Sequence, residues 1–315
     1  MVNGDSNDGT ETVCQKYESK DKRIKNIFHI DGLVPKRNVG YEHATGDWIM
    51  YIDGDDWIDT NTFEELIGIA AKYNNPDIIF WNCIQEFGDI SIKGKWEWRC
   101  QDAEHIYKND ECMMLSQNTL IYKSGIATAY SKLIRRDFCL NNNLDHNHNL
   151  RQGIEGVEFS MRVFAAAKTA LFVRKYYNHY RYNPTSISKK VDEKNSKYIH
   201  DGLLECYKFI EGIGPKRNVF LGSLYQRSLY ALIAVAMSTY FNPTNTKNLS
   251  TKISKFNALL RDMKMFNLAL KNADLSCFDK QRKIIIYIIK LRLYFLLPLV
   301  ATLKQYYLKK GKYNY

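Results

Sequence analysis

Residues 48–59 read WIMYIDGDDWID. An apolar run with the pattern of a buried strand ends there in three carboxylates within four positions, Asp53, Asp55 and Asp56, with Asp59 close behind. Like charges this close repel and raise one another's pKa unless a cation or an array of hydrogen-bond donors lies among them. A strand that carries acids at its C-terminal end sets them in the crevice where open α/β sheets bind ligands, so the same residues speak for fold and for site. Gly54 keeps the turn open, and the spacing of Asp53 and Asp55 suits one carboxylate on a hard cation and the other on a ribose hydroxyl or a second metal position. Mg²⁺ and Mn²⁺ take such oxygen ligands and share their remaining positions with substrate phosphates. Taken alone, the stretch fits equally a solvated acidic turn in which Asp59 or Thr60 caps the next helix.

The flanks alternate short apolar runs with helical periodicity. RIKNIFHI (23–30), DWIMYID (47–53) and DIIFWNC (77–83) predict strands, and PKRNVGYEHA (35–44) predicts a helix with Pro35 in its first turn. Over 62–73 the residues Phe63, Leu66, Ile67, Ala70 and Ala71 keep the spacing of one helix face, with Thr62 and Glu65 as a candidate capping box. EFGDISIKG (86–94) reads as a hairpin and FCLNNNLDHNHNL (138–150) as a polar loop, in which His146 and His148 are expected to be solvated rather than metal-bound. A helix over 155–168 and a strand over 170–182 follow, and beyond residue 190 the pattern is almost wholly helical. The expectation is an α/β fold with a parallel or mixed sheet covered by helices over 1–190, and a helical region over 191–315.

With 315 residues and 45% hydrophobic composition, the chain has ample material for a sizeable core. Seven scattered cysteines without a CxxC pair argue against a disulfide framework or zinc knuckle and fit a reducing cytosol. The opening MVNGDSNDGT is polar, unlike a secretory signal. Of the net charge of +11, nine charges lie from Lys280 onward, where no Asp or Glu occurs. The near-neutral remainder, without a basic-aromatic RNA motif, reads against nucleic acid as a partner. Within 282–310 the longest uncharged stretch, 293–303, is shorter than the ~20 residues of a spanning helix. The tail therefore predicts either a basic amphipathic segment lying on an anionic membrane surface, kinked at Pro298, or a core helix.

In order along the chain, VNGDSNDGT (2–10), GLVPKRNVGYEHATGDWIMYIDGDDWID (32–59), SKLIRRDF (131–138), GIEGVEFSMRVF (153–164) and YRYNPTSIS (180–188) resemble the motifs of bacterial family 2 glycosyltransferases. The resemblance implies a GT-A fold, a Rossmann-like mixed sheet flanked by helices, with a nucleotide-sugar donor, a UDP-sugar first among them, and Mn²⁺ or Mg²⁺. It maps the D-x-D pair onto Asp53 and Asp55, with Asp55 on the metal and Asp53 on the nucleotide or metal. Arg37 and Asn38 match the family's Arg-Asn near the donor, while His179 and Arg181 match a segment near its diphosphate. The acceptor hydroxyl needs a base. Where the family carries Glu-Asp, this chain reads Glu155-Gly156, which makes Glu155 the candidate and Glu158 the reserve. The implied acceptor is a growing glycan or a lipid-linked one, in capsule, O-antigen or related polysaccharide synthesis at the cytoplasmic face of the membrane.

Two departures bear on that expectation. The chain opens inside what the family's second strand would be, and it reads VNGDS for VNDGS, so Asn3 and Asp5 carry the nucleotide-binding role only weakly. A truncated glycosyltransferase and a non-catalytic remnant or membrane-associated scaffold of the same fold are the two readings this leaves.

Overall fold

The computed structural model describes residues 1–93, 97–183 and 192–309, with side chains to 306. It forms two compact units, one of Met1–Thr119 and Lys123–Tyr182, the other of Leu120–Tyr122 and Asn183–Tyr315. The expected boundary at 190, and the PTSIS end of the last motif, lie outside the described residues.

A seven-stranded mixed sheet organises the first unit. Its central strand β5 (Ile78–Phe87) pairs in parallel with β9 (Thr169–Arg181), while β3 (Trp48–Ile49), β4 (Trp57–Ile58), β6 (Ile90–Lys93), β7 (Glu104–Lys108) and β8 (Lys132–Arg135) join antiparallel, in the order β3-β8-β5-β9-β4 with β6 on β5 and β7 on β9. Strand β5 is apolar at successive positions because both faces are covered. Ile78 and Phe80 pack with Phe164, Phe172 and Ile134 on one side, and Ile79 and Trp81 pack with Leu66, Ala70 and Leu171 on the other. Helices α4 (Asp110–Thr119) and α6 (Glu155–Ala166) supply the first layer and α3 (Thr62–Lys72) the second. The predicted hairpin closes at Gly88, whose φ of 61° suits glycine, with Phe87 opposite Ile90.

Several expectations need correction. The strand over 23–30 is reduced to β2 (Ile27–Phe28), which pairs in parallel with β1 (Val2–Asn3) in a separate two-stranded sheet. Strand 47–53 survives only as β3, since ladder pairing with β8 ends at Ile49 and the chain turns at Gly54–Asp55. The Thr62–Glu65 capping box does not form: Asn61 is the N-cap residue and its amide donates to Glu65, while the buried Thr62 hydroxyl donates to the Asp59 carbonyl at 2.7 Å. Helix α1 (Thr10–Lys20) escaped the sequence reading because it buries only Cys14 and so carries no apolar stripe. Between them, α2 (Leu33–His43) holds Pro35 in its first turn as expected. The segment read as a polar loop opens with α5 (Arg136–Asn141).

The second unit is helical: α7 (Glu193–Glu211), α8 (Arg217–Val235), α9 (Leu249–Asp262), α10 (Lys264–Asn272), α11 (Lys280–Lys290) and α12 (Leu297–Lys309). Helix α8 packs against α7, α10 and α11. The stretch Gly214–Tyr240, which contains α8, is long and apolar enough to cross a membrane by length and composition, and half of its most apolar window is buried inside this unit. Phe256 gathers Tyr240, Phe241 and Tyr294 around it with ring centroids 5.3 to 5.6 Å away. Pro298 sits in the first turn of α12, where its missing N–H costs nothing, so no kink is required of it.

Candidate active site

Arg37, Asp53 and Glu155 come together although they lie on α2, on the turn after β3 and at the start of α6. The Arg37 guanidinium donates from Nη2 to Asp53 Oδ1 at 2.9 Å and from Nη1 to Glu155 Oε1 at 3.4 Å. Its side chain is nearly buried, that of Glu155 slightly less so, and Asp53 is partly open to solvent. A turn in which the Asp56 amide donates to the Asp53 carbonyl at 3.0 Å holds the three carboxylates together, with Asp55 exposed and Asp53 and Asp56 partly buried. Burial, and then the charges of Asp55 and Asp53, push the Asp56 carboxyl up to about 6, against the pull of the Arg181 amide that donates to it at 3.0 Å. Burial raises Glu155 as well, opposed by Arg37. A carboxylate cluster short of positive charge is what a hard cation would relieve.

The residues fit a divalent ion of the kind that shares its sphere with phosphates. Asp53, Asp55 and Asp56 offer only oxygen, and one or two carboxylates suffice for such an ion. Among the described residues, the ligand atoms of three His, Cys, Asp or Glu side chains converge to within 4.8 Å at Cys100, Asp102 and His105, away from this turn.

Beside the acids stand His179 and Arg181, which the motif reading named, and aromatic side chains that it passed over. His179 stacks on Trp57 at 5.0 Å with the rings nearly parallel, and both its ring nitrogens meet carboxylates, Glu86 at 2.6 Å and Asp59 at 3.1 Å. The Arg181 guanidinium lies 5.3 Å from the Trp57 ring. Tyr130 and Tyr180 stack with centroids 6.2 Å apart, and burial raises both phenols, helped by Cys83 and then Asp56 at Tyr130 and by Asp56, Asp55 and Asp53 at Tyr180.

Other residues named from the sequence have structural partners. The Asn38 amide donates to the His146 carbonyl at 2.8 Å and its oxygen accepts from the His146 amide at 2.9 Å, which pins the loop after α5. His146 itself is fully buried, edge-on to Tyr51 at 4.9 Å and stacked on Phe159 at 4.1 Å, so the expectation of a solvated ring fails for it. Burial holds its pKa well below the usual histidine value. His148 is exposed, beside Asp145 at 2.8 Å. Glu158 is buried in an ion pair with Arg162, at 2.6 and 3.1 Å. Asn3 bonds to Glu11 and to the Gly4 amide, and Asp5 is exposed on the same turn.

Gly156 explains one departure from the family pattern. A Cβ there would lie 3.2 Å from the Ala129 backbone nitrogen and 3.5 Å from the Ala127 carbonyl, so any side chain at that position would push the 127–129 backbone back by a few tenths of an ångström. The same loop is tied by its Thr128 carbonyl, which accepts from Ser160 at 2.8 Å and from Lys132. Lys132 is fully buried, and desolvation pulls its pKa down to about 7.

Residues 1–139 match the family model of glycosyl transferase family 2. The chain is 24% identical, over all of itself and 88% of the relative, to a putative glycosyltransferase, EpsH, of Bacillus subtilis. It is 28% identical to the cholesterol galactosyltransferase of Borreliella burgdorferi, over 68% of this chain and 60% of that one. In fold it resembles S. aureus TarS in complex with UDP-GlcNAc, with a TM-score of 0.64 at 12% identity over all of this chain and 83% of that one. The mixed sheet flanked by helices, the acid turn and the family match over the first 139 residues agree: residues 1–139 match family 2 glycosyltransferases, the chain is similar over its length to bacterial glycosyltransferases, and its fold is the GT-A fold of TarS.

Proposed function

We propose that this protein transfers a sugar from a nucleotide-diphosphate donor, a UDP-sugar, to a glycan or lipid-linked acceptor in cell-surface polysaccharide synthesis at the cytoplasmic face of the membrane, and that it does so with Mn²⁺ or Mg²⁺. The convergence of Arg37, Asp53 and Glu155 from three separate elements beside the acid turn carries the reading. Asp55 and Asp53 are the metal ligands in this proposal. The ion, when bound, supplies positive charge against the leaving diphosphate. Arg37 orients Glu155 and Asp53, and a guanidinium so placed is able to turn a donor hydrogen bond toward phosphate. Glu155 takes the proton of the acceptor hydroxyl from its place at the start of α6, and burial makes it a better base than a solvated glutamate. Glu158, locked on Arg162, is the weaker candidate. Arg181, held over Trp57, is assigned to the donor side.

A second reading, a non-catalytic scaffold of the same fold, draws on two observations. Strands β1 and β2 stand outside the larger sheet, and Asn3 is engaged with Glu11 rather than open to a base. One titration separates the two. With Mn²⁺ present, UDP or GDP raises the melting temperature of the wild type and not of Asp55→Ala under the enzymatic reading; no shift with any metal and nucleotide pair selects the scaffold.

A further inference from the structure

The outer face of the last two helices is apolar where a soluble surface would be polar. On α11, Ile285, Ile286, Ile288 and Ile289 point into the helical unit, while Ile284, Tyr287 and Leu291 recur at i, i+3 and i+7 on the outside. The chain turns at Arg292, whose φ is 59°, and the pattern resumes: Tyr294, Leu297 and Ala301 are buried, while Phe295, Leu299 and Leu303 recur at i, i+4 and i+8 outside. These six outward side chains are each 48 to 66% exposed. A core helix needs only its inner stripe, so the outer one asks for an occupant.

The charges beside it choose which. Lys280, Lys290 and Arg292 are exposed among these residues, and no acid follows Asp279. Two copies of this chain meeting face to face would bring like charges together, which is unfavourable. An anionic lipid surface matches both features, with Leu and Phe side chains sunk below the headgroups, Tyr287 at headgroup depth and the basic heads reaching outward along their apolar stems. We infer that α11 and α12 form a docking face for an anionic phospholipid surface, with the inner stripe keeping both helices folded on the protein. This inference stands on the second unit alone and does not depend on the catalytic reading.

The test is flotation of the full chain with vesicles of phosphatidylcholine alone and of phosphatidylcholine mixed with phosphatidylglycerol. The wild type is expected to float only with the anionic vesicles, and less as salt is raised. Replacing Lys280→Gln, Lys290→Gln and Arg292→Gln together should lower the partition coefficient on the order of a hundred-fold, at about 1 kcal/mol for each basic residue. Leu291→Ser, Phe295→Ser and Leu299→Ser together should lower it at least as much, with the circular dichroism spectrum unchanged. The charge variants alter only exposed groups and keep the test open should the apolar set misfold. Failure of the wild type to float, flotation retained in the charge variants, or a concentration-dependent dimer that these variants abolish would each overturn the inference. The nucleotide-dependent melting shift should be the same in all of these variants, which keeps this outcome separate from that of the enzymatic reading.

Discussion

Arg37 bridges Asp53 of the acid turn and Glu155 at the start of α6, and that makes its neighbours' behaviour predictable. Glu155→Gln keeps the contact to Arg37 in outline but removes the base, so kcat should fall by roughly 10²–10⁴ while donor binding stays, as read by single-turnover kinetics and a nucleotide titration. Arg37→Met removes the charge that offsets burial at Glu155, and the acid limb of the pH–rate profile should move to higher pH, with Arg37→Lys restoring part of it. Lys132 gives a second pH-dependent reading. An ordinary lysine holds its proton to about 10.5 and this one to about 7, so between those values the unfolded chain binds more protons than the folded one and stability rises with pH. The slope is at most about 1.4 kcal/mol per pH unit, and Lys132→Met should flatten it in urea unfolding from pH 7 to 9.5. Motif order alone named Arg37 and Asp53 for the donor and Glu155 for the base, and these three meet in the structure. It was silent on Lys132 and wrong on His146, because what buries those side chains, Phe164 for one and Tyr51 and Phe159 for the other, comes from distant parts of the chain.

Elements with strong periodicity were legible before any coordinates. Strand β5, helices α3 and α6 and strand β9 each bury a continuous face, and that face is written in the spacing of their apolar residues. Polar α1 and the two-residue strand β4 after the acid turn carry too few apolar positions to be read, and the strand before the turn was read at more than its length. The close contact of α6 with the 127–129 backbone was invisible as well, though its trace, a glycine in place of an acid, was in plain sight. Gly156→Ala should cost about 1–3 kcal/mol through overpacking and displace the first turn of α6, and a loss of activity larger than the loss of stability would place the damage at Glu155. Asn38→Ala leaves both backbone groups of His146 without their partner. The expected cost is about 1–3 kcal/mol, with faster amide exchange across residues 142–150.

Across the whole molecule, the mixed sheet and the helical second unit were both foreseen, since alternating strands and helices give way to helices alone. What no local pattern conveys is which residues become hubs. Phe256, ringed by three aromatic neighbours, is one, and Phe256→Ala should destabilise its unit by about 3–5 kcal/mol, measured by the midpoint of urea unfolding. The bond between Asn38 and residue 146 joins positions 108 apart in the chain. Closing so long a loop is entropically slow, and contacts of this span are made late in folding. During translation at roughly 5–20 residues per second, α2 emerges many seconds ahead of the loop that will anchor it. A nascent chain halted before residue 146 would therefore display Arg37 and the acid turn without α6 and the Glu155 that Arg37 will meet, so chaperones would encounter charges not yet paired.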